Sequence, residues 1–291
     1  MSMLFKKISN KIFKKSVTGL AGHGIGNNKV VSSIFNYLKS NLKNEFVEID
    51  GNKIFLDKND SLNLSINGIY EDFETDLVKK EVRQGDVVID IGANIGYYTT
   101  MFAKLVGNSG KVFAFEPDPT NYELLKKNID ANGFTNVILE QKALSDNHGK
   151  MMLNLNNKNT AGHHLDFKNE NSVNSVKVDV LSLDDYFSDK NIDINFIKMD
   201  VEGAESNVIK GMRNILKTSK NLKMIVEYNP LAIKQLGLNP ENYLDLLIKN
   251  EFLLYDVDER SKTLIKTQKE DLLKKYDKLY TNLFCKKTAK N

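Results

Sequence analysis

The chain has 291 residues, 41% of them hydrophobic, with 15 Phe and 11 Tyr. That is enough apolar material for a substantial core and excludes intrinsic disorder for the chain as a whole. Lys and Arg number 41 against 38 Asp and Glu, a net charge of +3 that is too even to imply a nucleic-acid partner by itself.

The single cysteine, Cys285, excludes a disulfide framework and a thiolate metal cage. The histidines His23, His148, His163 and His164 include no HExxH pair, so no metal is expected. No apolar run approaches the ~18 residues of a membrane span, and the N-terminus lacks the apolar stretch of a secretory signal. The sequence reads as soluble and intracellular, cytoplasmic rather than exported.

Within the first 20 or so residues, Leu4, Phe5, Ile8 and Ile12 share one helical face while Lys6, Lys7, Lys11, Lys14 and Lys15 crowd the other. Such a helix packs on its own protein or a partner, or lies on an anionic membrane surface as a peripheral contact. Residues 1–45 therefore read as a basic helical extension and 46–287 as the main domain, with 46–85 as its lead-in. Phe46-Val47-Glu48-Ile49 and Lys53-Ile54-Phe55-Leu56 flank the turn Asp50-Gly51-Asn52, predicting a hairpin. Phe73 to Val82 predicts a helix closed by Gln84-Gly85-Asp86.

From Val87 the pattern alternates strand and helix. Val87-Val88-Ile89-Asp90-Ile91 predicts a strand buried on both faces. Tyr97 to Val106 is a helix stopped at Gly107, and Val112 to Phe115 a second strand. Asp118-Pro119 opens the next helix as N-cap and first helical residue, and Asn132-Gly133 closes it. Val137 to Glu140, Asn195 to Met199 and Leu222 to Tyr228 follow as strands, with a helix from about Ala204 to Leu216. Tyr243 to Lys249, Phe252 to Tyr255 and Tyr280 to Cys285 finish the predicted sheet, the last with an antiparallel edge expected. Short connections between alternating elements predict a doubly wound, mostly parallel α/β sheet.

The chemistry is expected where the first buried strand ends. Gly92 and Gly96 in Asp90-Ile91-Gly92-Ala93-Asn94-Ile95-Gly96 allow a tight turn and close approach to a ligand. Glu116 ends the second strand, where an acidic side chain takes both ribose hydroxyls. Asp90 and Glu116 make the crevice negative, which suits a cationic nucleoside without phosphates. S-adenosylmethionine (SAM) fits; NAD fits less well, because a third glycine is missing from its spacing.

These blocks resemble the FkbM family of SAM-dependent methyltransferases. The matching text is Val88 to Thr99, Phe115-Glu116-Pro117-Asp118-Pro119, Ala143-Leu144-Ser145-Asp146 and Ile197-Lys198-Met199-Asp200-Val201-Glu202-Gly203-Ala204-Glu205, with Leu183-Asp184-Asp185-Tyr186 and Asn282-Leu283-Phe284-Cys285. The resemblance covers roughly residues 46–287. It implies a class I (Rossmann-like) methyltransferase fold, a seven-stranded sheet with one antiparallel strand, and methyl transfer to a hydroxyl oxygen of a sugar, glycan or other hydroxylated metabolite. Asp90, Gly92, Ala93, Asn94, Gly96 and Tyr97 would then hold the methionine portion. Glu116 would bind the ribose with Pro117 and Asp118 beside it, and Ala143 and Leu144 would line the adenine.

An alcohol acceptor loses its proton as the new bond forms, so a carboxylate or imidazole must lie within reach. Asp200, Glu202 and Glu227 follow or end strands on the cofactor side, and His163, beside His164, sits in an insertion-like segment before Val176. These four are the candidate catalytic residues. Glu205 reads as a first-turn carboxylate favoured by the helix dipole. Two alternatives stay open: an N-methyltransferase acting on another acceptor, and a non-catalytic SAM-binding protein docked through its basic N-terminal helix. A nucleic-acid acceptor is disfavoured, because Met199-Asp200-Val201-Glu202-Gly203 would repel a phosphate backbone.

Overall fold

The computed structural model describes residues 44–287 except 157–159, 161, 167–173 and 191. The expected amphipathic helix at the N-terminus lies outside the described residues. No described helix is long and apolar enough to cross a membrane.

The hairpin β1 (Phe46–Ile49) and β2 (Asn52–Phe55) turns through Asp50 and Gly51, both with positive φ. Helices α1 (Leu64–Asn67) and α2 (Asp72–Glu81) lead into β3 (Val87–Ile91), α3 (Tyr97–Val106), β4 (Lys111–Phe115), α4 (Pro119–Ala131) and β5 (Val137–Glu140). Four strands then form a separate sheet: β6 (Ala143–Leu144), β7 (Gly149–Asn154), β8 (His164–Leu165) and β9 (Ser175–Leu181). The chain continues through α5 (Leu183–Tyr186), β10 (Phe196–Met199), α6 (Glu205–Lys210), α7 (Arg213–Thr218), β11 (Lys223–Tyr228), α8 (Pro230–Gln235) and α9 (Pro240–Lys249). It ends with β12 (Phe252–Asp258), β13 (Thr263–Thr267), α10 (Lys269–Lys275) and β14 (Thr281–Lys287).

Among the described residues the main sheet has eight strands in the order β13-β12-β14-β11-β10-β3-β4-β5. The five from β11 to β5 run parallel, and β14 pairs antiparallel with both β11 and β12. This is the expected class I arrangement with one strand, β13, added at the edge. Two apolar layers sandwich it. Ile89, Ile91, Met199 and Val226 pack on one face, and Val88, Phe102, Phe196 and Ile225 on the other. Strand β3 is thus buried on both sides, and its one polar residue, Asp90, is 1% exposed on the same side as Val88. A carboxyl in that position weakens the core, so its presence points to a ligand.

Four expectations are corrected. Tyr243–Lys249 is helix rather than strand: Asn239 accepts from the N–H groups of Glu241 and Asn242, Pro240 stands at the first turn, and Tyr243, Leu244 and Leu247 form one buried face. The helix from Ala204 to Leu216 is two short helices. They break at Gly211-Met212, where the Gly211 backbone lies so near the Ser145 carbonyl that an added Cβ would come within 2.1 Å of it. The last strand is antiparallel as expected but lies inside the sheet, because it hydrogen-bonds to β11 on one side and to β12 on the other. His164 and Leu165, from the insertion-like stretch before Val176, join the small second sheet around Ala143, Leu153, Leu165, Val178 and Val180, which the sequence reading did not contain.

Candidate active site

After β3 the chain turns sharply into α3. Gly92 takes φ +78°, and a Cβ there would lie 1.9 Å from the Asp200 carbonyl oxygen, so glycine lets this turn press against the end of β10. Asn94 follows with φ 51°. Its N–H donates to Glu116 Oε2 at 2.7 Å, and the Asp118 N–H donates to Oε1 at 2.9 Å. Glu116 therefore ties the first loop to the second while each oxygen keeps a lone pair free. Burial pushes its carboxyl up to about 8; the two N–H bonds pull the other way, and Asp118 and Asp90 add repulsion.

Two crevices meet at this turn. One is lined by Gly92, Asn94, Glu116, Pro117, Asn121, Ala143, Leu144, Thr160, His163, His164, Asp200 and Glu202, among others. The other is lined by Leu62, Tyr70, Asp90, Gly92, Ala93, Asn94, Tyr97, Tyr98, Lys198 and Asp200. Gly92, Asn94 and Asp200 belong to both. Thr160 bridges the mouth of the first. Its carbonyl accepts from Asn94 Nδ2 at 3.3 Å and Asn121 Nδ2 at 3.2 Å, and its hydroxyl donates to Asp57 at 2.9 Å. His163 Nδ1 accepts from the Asn156 N–H at 2.9 Å, and burial holds the imidazole below its ordinary value.

The second crevice is floored by charge. Lys198, 2% exposed on β10, lies 3.3 Å from Glu74 and 3.8 Å from Asp200. Burial disfavours its charge, but Glu74, then Asp200, Glu71 and Asp90, outweigh that and hold it above the ordinary lysine value. Burial pushes Asp90 up to about 6, offset in part by the Thr99 hydroxyl bonded at 2.5 Å and by Lys198. Glu71 is pushed to about 8 by burial and then by Glu74. Glu202 reaches about 8 through burial, Asp200 and Glu205. Glu227 is raised well above the ordinary range, by burial first and then by Asp200. Among the described residues that line the second crevice, one ammonium, Lys198, faces these carboxyls.

The structure gathers most of the residues expected from sequence. Gly92, Asn94, Glu116, Pro117, Ala143, Leu144, His163, Asp200 and Glu202 line the first crevice, and Asp90, Ala93 and Tyr97 the second. Gly96, Asp118 and Glu227 line neither. Gly96 precedes α3 and packs on Leu125, and Asp118 caps α4 through the Asn121 N–H at 2.8 Å. Tyr97 is buried, its hydroxyl accepting from the Tyr70 N–H and meeting the Thr75 hydroxyl at 3.1 Å. Glu205 accepts from the N–H groups of Val201 and Gly203 at the start of α6. Sequence reasoning missed Lys198, Glu71, Glu74, Tyr70, Asn121 and Thr160. Only Lys198 carried a local signal, as a lysine between apolar strand residues. Among the described residues no cluster of His, Cys, Asp or Glu is arranged to hold a metal ion.

A family model described as the methyltransferase FkbM domain matches residues 90–255, more than half of the chain. The chain belongs to the FkbM methyltransferase family. The match starts at Asp90 and takes in both crevice loops and the ends of β10 and β11. Among curated relatives, the hexuronic acid methyltransferase AglP of Haloferax volcanii is 31% identical over 172 residues, 59% of this chain and 65% of that protein. The alignment thus spans just under two thirds of the length of AglP. The 2-O-methyltransferase NoeI of Sinorhizobium fredii is 27% identical over 176 residues, 55% of this chain and 70% of that protein. Among solved structures, a SAM-dependent O-methyltransferase of Thermotoga maritima overlaps with a TM-score of 0.42 at 13% identity, over 85% of this chain and 78% of that one.

Proposed function

We propose that this chain transfers a methyl group from SAM to a hydroxyl of a sugar or a related hydroxylated metabolite. The observation that carries the reading is the junction of the two crevices at Gly92, Asn94 and Asp200, with a ribose-type carboxylate on one side and a surplus of buried carboxyls on the other. The residues present fit the cofactor. Glu116 has lone pairs to spare for two hydroxyls, Ala143 and Leu144 offer an apolar wall for a base, and the carboxyl-rich floor is short of a cation. Bound there, SAM would supply an electrophilic methyl group on a sulfonium sulfur.

The remaining roles fall to the chain's own groups. Asp90, Gly92, Ala93, Asn94 and Tyr97 hold the amino-acid tail, with Gly96 shaping the turn. Glu116 grips the ribose, supported by Pro117 and Asp118. Asp200 lines both crevices, so it is the group best disposed to take the acceptor's proton, and Lys198 at 3.8 Å orients its carboxylate. Glu202 and Glu227 position the acceptor. His163, its Nδ1 engaged by the Asn156 N–H, serves as a wall beside the nucleoside. The names of AglP and NoeI support oxygen on a sugar as the target.

The test is transfer of a labelled methyl group to a panel of sugars, glycolipids and small alcohols. Asp200→Asn should lower the rate about 100-fold or more, in the range for losing a general base, while S-adenosylhomocysteine still binds. Cofactor binding without transfer to any acceptor, or an Asp200→Asn rate within twofold of the parent, would count against the proposal.

A further inference from the structure

We infer that Glu71, Glu227 and Asn282, with Tyr280 above them, form an acceptor subsite that takes an uncharged or amino-bearing sugar ring and discriminates against a uronic acid. The inference rests on the methyltransferase reading above and adds to it the charge class of the acceptor.

The sheet register builds the subsite. Met199 pairs with Val226, so Asp200 emerges beside Glu227, and Glu227 pairs with Asn282 across β11 and β14. The three residues form a row across the end of the sheet. Glu71 approaches from the turn before α2 and is fixed by two donors: Asn282 Nδ2 to Oε1 at 2.9 Å and the Tyr98 hydroxyl to Oε2 at 3.1 Å. In that row Glu227 is 7% exposed, and its Oε2 is buried without a hydrogen-bond partner. A buried carboxyl oxygen with no donor is unfavourable unless something supplies one. A sugar hydroxyl or an ammonium group does.

Tyr280 provides the second observation. It is 62% exposed, yet its hydroxyl is pushed up by burial and then by Glu71, Glu227, Asp200 and Glu202. Tyr280 therefore stands near the carboxyls and open to solvent. An exposed tyrosine near a row of acceptors suits a pyranose, whose C–H face packs on an aromatic ring while its hydroxyls donate to the acceptors.

The discrimination follows from the groups that face the row. Among the described residues they are the carboxyls Glu71, Glu74, Asp200, Glu202, Glu205 and Glu227, the phenols Tyr70, Tyr98 and Tyr280, and one cation, Lys198, paired with Glu74 and Asp200. A ligand carboxylate brings no donor for the Glu227 oxygen that lacks one. A hydroxyl or an ammonium group supplies that donor. This selectivity is opposite to the one in the name of AglP.

The experiment uses the full chain and methyl glycosides of the gluco, galacto and manno series, each as the neutral sugar, the amino sugar and the uronic acid. Transfer is measured with labelled SAM, and binding by calorimetry in saturating S-adenosylhomocysteine. Neutral or amino probes should exceed the uronic acids about tenfold or more in kcat/KM. Tyr280→Ala, an exposed position, should raise acceptor KM about tenfold with kcat changed less than about threefold, the pattern of lost uniform binding. Glu227→Gln should narrow the gap against uronic acids with S-adenosylhomocysteine affinity unchanged, which also reports that the variant is folded. A uronic acid used as well as or better than its neutral counterpart, or an unchanged KM in Tyr280→Ala, would overturn the inference. So would S-adenosylhomocysteine binding with no probe bound at tens of millimolar. Failure to bind S-adenosylhomocysteine at all would instead sink the methyltransferase reading beneath it.

Discussion

Removing the Glu116 carboxyl deprives two N–H groups, that of half-buried Asn94 and that of buried Asp118, of the acceptor that ties their loops together. An unsatisfied buried donor costs about 1–3 kcal/mol, so Glu116→Ala should lower both the melting temperature and the affinity for S-adenosylhomocysteine, the latter about tenfold or more by calorimetry. Asp90 should behave differently. Its carboxyl is buried, pushed up to about 6, and held by the Thr99 hydroxyl, for which an amide oxygen is an equally good acceptor. Asp90→Asn should therefore leave the unliganded protein as stable as the parent or more so. It should weaken SAM and S-adenosylhomocysteine alike, because both carry the amino-acid tail that Asp90 holds. An unchanged affinity for both would mean that Asp90 does not hold the tail.

At the scale of elements, what could be read in advance was whatever local chemistry dictates. Strand β3 declared itself by an apolar run, α3 ran from Tyr97 to Val106 as its pattern required, and α4 opened on Asp118-Pro119 because a side-chain cap and a proline act within a single turn. The cofactor loop was legible for the same reason, its glycines and carboxylates lying within one strand–turn–helix unit. The misread segments depended on distant partners. Tyr243–Lys249 is apolar enough for either state, and the deciding signal was the Asn239-Pro240 cap just before it. Asn239→Ala should lower stability by about 1 kcal/mol, measured as a shift in denaturant midpoint; no shift would mean that packing of Tyr243, Leu244 and Leu247 alone fixes α9. The place of β14 between β11 and β12 and the assembly of the second sheet are set by pairing across long loops, which no local pattern records. The acceptor side suffered most: Glu71 and Asn282, 211 residues apart, meet only in the folded chain.

At the scale of the whole molecule, the buried carboxyls couple stability to pH. In an unfolded chain such groups titrate near pH 4. In the folded chain burial moves Asp90 to about 6, Glu205 to about 7, and Glu71, Glu116 and Glu202 to about 8. Between those limits the folded state holds more protons than the unfolded one, so stability falls as pH rises. The stabilising contribution is complete below about pH 4 and is lost progressively up to about pH 8. Each group contributes at most about 1.4 kcal/mol per pH unit, and neighbours such as Glu202 and Glu205 lose their protons as a set instead of independently. Lys198, held above the ordinary lysine value, favours the folded state throughout this range. The unliganded chain should accordingly melt at its highest temperature on the acid side of neutrality and lose stability steadily from about pH 6 to 8. SAM, by placing positive charge among ionised carboxyls, should flatten that decline more than S-adenosylhomocysteine does. Thermal unfolding between pH 5 and 9 with each ligand provides the check. A melting temperature that rises toward pH 8 without ligand would show that these carboxyls are solvated and ionised, and that the crevice is not short of positive charge.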